Sequence, residues 1–215
     1  MIDAQAIPFA AKLGPLLGYL DWAGVAVFAT SGALVAAAKR QTLVTFIFFA
    51  VVTGIGGGTA RDLLIGAPVF WIQENATLLI CLAAALLVWM TPARLLRVKA
   101  LLWFDAVGLA AYGTYGAAKG LAFGVAPIPA IGMGVLTACL GGIVRDVLAG
   151  APSILMRSEL YVTAAALASA LMVVLHLLGL PGAPAGMIAA LSGFALRGGA
   201  ILRGWALPAY GRWTS

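Results

Sequence analysis

Two Arg-Asp pairs stand inside apolar runs of this chain. Arg61-Asp62 lies in TGIGGGTARDLLIGAP (53–68) and Arg145-Asp146 in TACLGGIVRDVLAGAP (137–152). Such a pair can pin a helix end, with Arg satisfying terminal carbonyls and Asp capping the next segment. It can also line a water-filled path and act on a passing ion, because intramembrane charges face a bundle interior or an aqueous cavity rather than lipid. Asp21, Asp105, Thr53, Thr137, Tyr112, Thr114, Tyr115 and Lys119 add carboxylates, hydroxyls and one ammonium to otherwise apolar segments. Asp21 and Asp105 stand where two apolar runs begin, so helix capping competes with ion attraction as their role. Lys119 can snorkel to an interface or act as a barrier near a cation path. There is no G-x-S-x-G, no Cys/His pair and no metal spacing such as C-x-x-C or H-E-x-x-H. The reading is therefore no enzyme, no cofactor and no metal centre. His176 has no partner spacing, and Cys81 and Cys139 read as small buried hydrophobes.

The elements that must position these groups are membrane helices. The 215 residues are 63% hydrophobic and only 9% charged, with mean hydropathy +1.07, and a soluble surface needs about 25% charge. This excludes a soluble domain, and the net charge of +6 reports orientation rather than nucleic-acid binding. The first 18 residues lack the apolar core and cleavage site of a signal peptide. A spanning helix needs about 20 apolar residues. Seven candidates follow, at about 17–38, 43–65, 75–92, 101–122, 128–149, 159–179 and 183–203, in a single transmembrane domain. Lys39, Arg40, Arg94, Arg97, Lys99, Arg157, Arg203 and Arg212 fall on one side, and little beyond Lys12 on the other. The positive-inside rule puts the N-terminus outside and the C-terminus in the cytoplasm of a cell inner (plasma) membrane. Trp71, Trp89, Trp103, Trp205 and Trp213 fall near span ends, as an aromatic belt requires.

A shift of 84 residues superposes the two motifs. Asp21 falls on Asp105, Thr53 on Thr137, Gly57-Gly58 on Gly141-Gly142, Arg61-Asp62 on Arg145-Asp146 and Gly66-Ala67-Pro68 on Gly150-Ala151-Pro152. Without a gap, 18 of 48 positions are identical, and chance does not align both charge pairs and both turns in one register. Each copy (about 17–97 and 101–180) holds three spans, so the second must enter the membrane from the other side. This is an inverted repeat, common in transport proteins, with an added seventh helix at about 183–203.

Counted from Leu43, Gly56–Gly58 lie roughly 20–22 Å and Arg61 about 27 Å along a helix. Arg61-Asp62 would then approach the outer mouth and Arg145-Asp146 the inner one. Glycines cost a helix about 1 kcal/mol each. Gly56, Gly57, Gly58, Gly141 and Gly142 are expected to kink or break the second and fifth spans at a permeation site. The competing reading is close helix packing.

The repeated GGG-x-x-RD-x-L-x-G-x-P followed by Trp71, and the D-x-x-G…SG opening of the first copy, resemble prokaryotic members of the trimeric intracellular cation (TRIC) channel family. The resemblance spans about residues 17–203. The second copy departs from it, reading Cys139-Leu140-Gly141-Gly142, one glycine short. The resemblance implies seven helices in a 3+3+1 plan, a homotrimer, and a hydrophilic pore in each protomer, lined by helices 2 and 5. It implies passive conduction of monovalent cations, chiefly K⁺, with Na⁺ as another permeant ion. Related bacterial domains have also been labelled glycine transporters, which makes a secondary transporter of a small amino acid the alternative.

Overall fold

The computed structural model describes residues 14–92, 98–152 and 160–208. Eight helices carry the described fold: α1 Gly14–Ala38, α2 Leu43–Leu64, α3 Phe70–Gln73, α4 Ala76–Met90, α5 Val98–Ala122, α6 Pro127–Leu148, α7 Val162–Leu177 and α8 Gly182–Arg203. In α1 (Asp21–Ala38), α2, α6 and α8 the run is long and apolar enough to cross a membrane, while α4 and α7 are shorter apolar helices. Lys12, Arg94, Arg97, Arg157, Arg212 and Trp213 lie outside the described residues, as does the side chain of Lys99.

Both G-A-P turns stop a helix in the same way. Beyond α2, Ile65 N–H donates to Arg61 O, Gly66 N–H to Leu63 O and Ala67 N–H to Asp62 O at 2.9 Å. Beyond α6, Ala149 donates to Arg145, Gly150 to Val147 and Ala151 to Asp146, again 2.9 Å for the last. Gly66 and Gly150 take φ +67° and +61°, the left-handed conformation that closes such a C-cap. The following proline cannot continue the helix.

α1 packs on α2, α4 and α5. α5 also packs on α6, α7 and α8, α2 on α4 and α6, and α7 on α6 and α8. The exposure pattern is inside-out. Val44, Leu87, Met90, Ile128 and Leu178 stand at the surface, whereas Arg61, Asp62, Asp105, Arg145 and Arg197 are buried. Water would reward the opposite distribution, and lipid selects this one. Cys81 and Cys139 are free and buried in the helix core.

Two expectations are corrected here. Asp21 and Asp105 do not open their helices. α1 and α5 begin at Gly14 and Val98, so each carboxylate sits about two turns inside and no terminal amides remain there to cap. The helix breaks expected at the glycines are also absent. α2 runs unbroken through Gly56–Gly58 and α6 through Gly141-Gly142, because the glycines sit where the two helices cross.

Candidate functional site: two buried Arg-Asp clusters

At the crossing, a Cβ on Gly57 would strike the Thr137 carbonyl, and one on Gly141 would strike the Thr53 carbonyl. A Cβ on Gly56 would stand 3.8 Å from Gly141 Cα. Position 53 thus meets 141 and position 57 meets 137, so α2 and α6 cross antiparallel. Arg61 and Arg145, each four residues past its crossing glycine, leave in opposite directions. Thr53 and Thr137 are both buried at the crossing. The Thr137 hydroxyl donates to Met133 O at 2.6 Å.

The first cluster gathers on Asp62. Its Oδ1 accepts Arg61 Nε at 2.8 Å and pairs with Lys119 Nζ of α5 at 2.8 Å. Its Oδ2 accepts the Phe70 amide at 3.1 Å, which fixes the start of α3. Arg61 lies over the Tyr115 ring at 4.9 Å and near the Phe70 ring at 6.0 Å. Asp21 lies within electrostatic reach of Arg61, Lys119 and Asp62, with Tyr112 and Tyr115 beside it. The Tyr112 hydroxyl stands 3.4 Å from Asp21 O, and the Tyr112 and Tyr115 rings stack at 6.3 Å. Two cations thus share one carboxylate in a buried site, where an unpaired Asp62 would be costly.

The second cluster gathers on Arg145. Its Nε donates to Asp146 Oδ1 at 2.9 Å and its Nη1 to Asp105 Oδ1 at 2.7 Å. Nη1 also bonds the Ser31 hydroxyl of α1. Here one guanidinium serves two carboxylates, and its planar fork suits it to do so. Tyr161, just before α7, stands beside Asp105, and Arg197 of α8 lies over its ring at 5.4 Å.

The structure therefore brings Asp21, Arg61, Asp62, Tyr112, Tyr115 and Lys119 together. It brings Asp105, Arg145 and Asp146 together in a second place and sets Thr53 and Thr137 between. Thr114 belongs to neither: its hydroxyl bonds Ala110 O at 3.0 Å and its methyl faces Gly186 of α8. Sequence reasoning missed Ser31, Phe70, Tyr161 and Arg197. Of these only Arg197 carried a signal, a charge within the last apolar span.

Known proteins resemble this arrangement. A family model described as "Glycine transporter" matches the chain twice, over residues 18–93 and 102–177. The two matches stand 84 residues apart, the shift that superposes the motifs. The UPF0126 inner membrane protein YadS of Escherichia coli (strain K12) is 39% identical over 152 residues, covering 69% of this chain and 73% of that protein. The solved TRIC trimeric intracellular cation channel orthologue from Rhodobacter sphaeroides superposes with TM-score 0.82 at 39% identity, over 89% of this chain and 100% of that one. The chain belongs to the TRIC/UPF0126 family. A UPF0126 membrane protein of Vibrio cholerae serotype O1 is 42% identical over 155 residues, 69% of this chain and 64% of that relative. A structure solved for conductance through TRIC cation channels superposes with TM-score 0.78 at 29% identity, over 89% of this chain and 96% of that one. With apolar helices and relatives named as membrane proteins, this family member is an all-helical, multi-pass membrane protein.

Proposed function

We propose that this chain is a passive monovalent-cation channel, conducting chiefly K⁺ along a hydrophilic path inside each protomer. The observation that carries this reading is the pair of buried Arg-Asp clusters on opposite sides of the α2–α6 crossing, in a bundle whose outer face is apolar. The TRIC channel structures it resembles support the same reading. In this account α2 and α6 line the path. Gly56, Gly57, Gly58, Gly141 and Gly142 let them close on it, and Asp21, Thr53, Asp105, Tyr112, Tyr115, Lys119 and Thr137 supply polar groups along it. Arg61, Asp62, Arg145 and Asp146 hold the two mouths in shape and set their charge.

The architecture proposed is seven spans, with copies at about 17–97 and 101–180 of opposite topology and a seventh helix at about 183–203. The antiparallel crossing of two helices related by the 84-residue shift favours it, as does the doubled family match. The proposed assembly is a homotrimer, as the Rhodobacter orthologue is named. The proposed orientation has the N-terminus outside and the C-terminus in the cytoplasm.

Purified protein in KCl-loaded liposomes is expected to release K⁺ at a rate that rises linearly with KCl and needs no coupling ion. Release no faster than from empty liposomes would retire the channel. The family model's description favours one second reading, a glycine transporter. Saturable glycine uptake by the same vesicles, without K⁺ release, would put it in the channel's place.

A further inference from the structure

Tyr112, Tyr115 and Lys119 follow one another along a face of α5 at helical spacing. The 84-residue shift puts Phe28, Ser31 and Val35 of α1 in their places. The two arginines answer to that difference. Each holds its neighbouring carboxylate alike, Arg61 Nε on Asp62 Oδ1 at 2.8 Å and Arg145 Nε on Asp146 Oδ1 at 2.9 Å. Arg145 then reaches further: its Nη1 meets Asp105 Oδ1 at 2.7 Å and the Ser31 hydroxyl. Arg61 does not. Its guanidinium lies 4.9 Å from the ring of Tyr115, the counterpart of Ser31, and among the described residues its Nη1 has no acceptor. Asp21, the counterpart of Asp105, is within electrostatic reach of Arg61 and has Tyr112 and Tyr115 beside it. Among the described residues it stands in no salt bridge. Arg61 and Asp21 are both buried. A guanidinium with an unused N–H and a carboxylate with no guanidinium on it therefore meet the same phenol.

We propose that Arg61 is a two-position latch, resting on the Tyr115 ring in this structure and on the Asp21 carboxylate in a second state, as Arg145 rests on Asp105. The contacts that hold the two positions are different in kind, a ring face against a charge-assisted hydrogen bond, so a change at either one shifts the balance. Lys119 Nζ, 2.8 Å from Asp62 Oδ1, keeps Asp62 paired while Arg61 turns. Its counterpart on α1 is Val35, which supplies no such ammonium to the second cluster. Arg145, held by Asp105, Asp146 and Ser31 together, is a fixed pin. The two clusters thus share their charged residues and divide the work, one moving and one holding. With Arg61 on the ring, the Asp21 charge is left to attract a cation. With Arg61 on Asp21, that charge is cancelled at contact distance.

The latch's effect on conductance rests on the channel reading, while the exchange of partners does not. Tyr115→Ser gives the first cluster the residue that the second one has. A crystal structure of this full-length variant is expected to show Arg61 Nη1 within hydrogen-bond distance of the Asp21 carboxylate, and Arg61 held by Asp62 alone overturns the latch. Bilayer recordings give a second test that does not depend on the folding of the serine variant. At low KCl the wild type is expected to show two current levels. Tyr115→Phe keeps the ring under Arg61 and takes a hydroxyl from beside Asp21. It is expected to raise the occupancy of the lower level about fivefold, the worth of one hydrogen bond. Asp21→Asn removes the second position and is expected to leave a single level. A merely structural Tyr115 or Asp21 would lower the melting temperature and leave the levels as they were, so wild-type occupancies in both variants overturn the latch. Arg61 found on Asp21 in a Tyr115→Ser protein, with no current from the wild type, would retire the channel and leave the latch standing.

Discussion

Arg145 and Lys119 both meet buried aspartates, yet they hold different shares of their clusters. Arg145 faces Asp105, Asp146 and Ser31 at once, so Arg145→Ala takes from the buried Asp105 the cation that its Oδ1 meets. Breaking a buried pair costs about 3–5 kcal/mol, and a large fall in melting temperature in detergent is expected. Arg145→Lys should recover only part of it, because a single ammonium lacks the fork that reaches three acceptors. Lys119 is 16% exposed and shares Asp62 with Arg61, so Lys119→Met should lower the melting temperature much less. Equal losses for Arg145→Ala and Lys119→Met would contradict this division. The charged half of both clusters was legible in the sequence, because an Arg-Asp pair in an apolar run needs a partner. Their other half was not. Ser31 reaches Arg145 across 114 residues, and nothing in the residues around Ser31 or Tyr161 marks them as neighbours of a distant guanidinium.

α2 and α6 show how packing overrides propensity. Three glycines in a row would weaken an isolated helix, but here the missing side chains let two backbones approach at Thr53, Gly57, Thr137 and Gly141. The break read from the glycines failed because helix propensity says nothing of a partner helix whose contacts offset the penalty. Gly57→Ala and Gly141→Ala are expected to lower the melting temperature and broaden the size-exclusion peak, since each new methyl meets a partner backbone carbonyl. A Cβ on Gly132, also in α6, meets nothing within 4 Å. Gly132→Ala should therefore be neutral or stabilising by about 1 kcal/mol, the difference in helix propensity. Harmless alanines at 57 and 141 would remove the close crossing from the account. Helix ends were legible where chemistry marks them: α2 ends at Leu64 just before Gly66-Ala67-Pro68, and α6 begins at Pro127. α1 and α5 begin further upstream than the carboxylates suggested, because the residues ahead of Asp21 and Asp105 continue the helix without a stop signal. The four residues of α3, Phe-Trp-Ile-Gln, are too few to show a period, and what fixes their start is the distant Asp62 carboxylate.

For the whole molecule, the bundle turns charge inward and hydrocarbon outward, and the sequence showed this in its 9% charge and its two copies. The sidedness proposed for it is open to labelling. Gln41 and Ala126 are both exposed, one after α1 and the other before α6. In a background where Cys81 and Cys139 are buried, Gln41→Cys should react with an impermeant maleimide only from the cytoplasmic side, and Ala126→Cys only from outside. Labelling of both from one side would contradict the proposed orientation. The central claim, a passive cation path through the crossed repeats, is tested most directly by single-channel recording across a tenfold KCl gradient, where an ideal K⁺ path reverses at about 59 mV. The account predicts ohmic unitary currents that reverse close to that K⁺ limit. Silent bilayers, or currents that reverse near zero or on the chloride side, would contradict it.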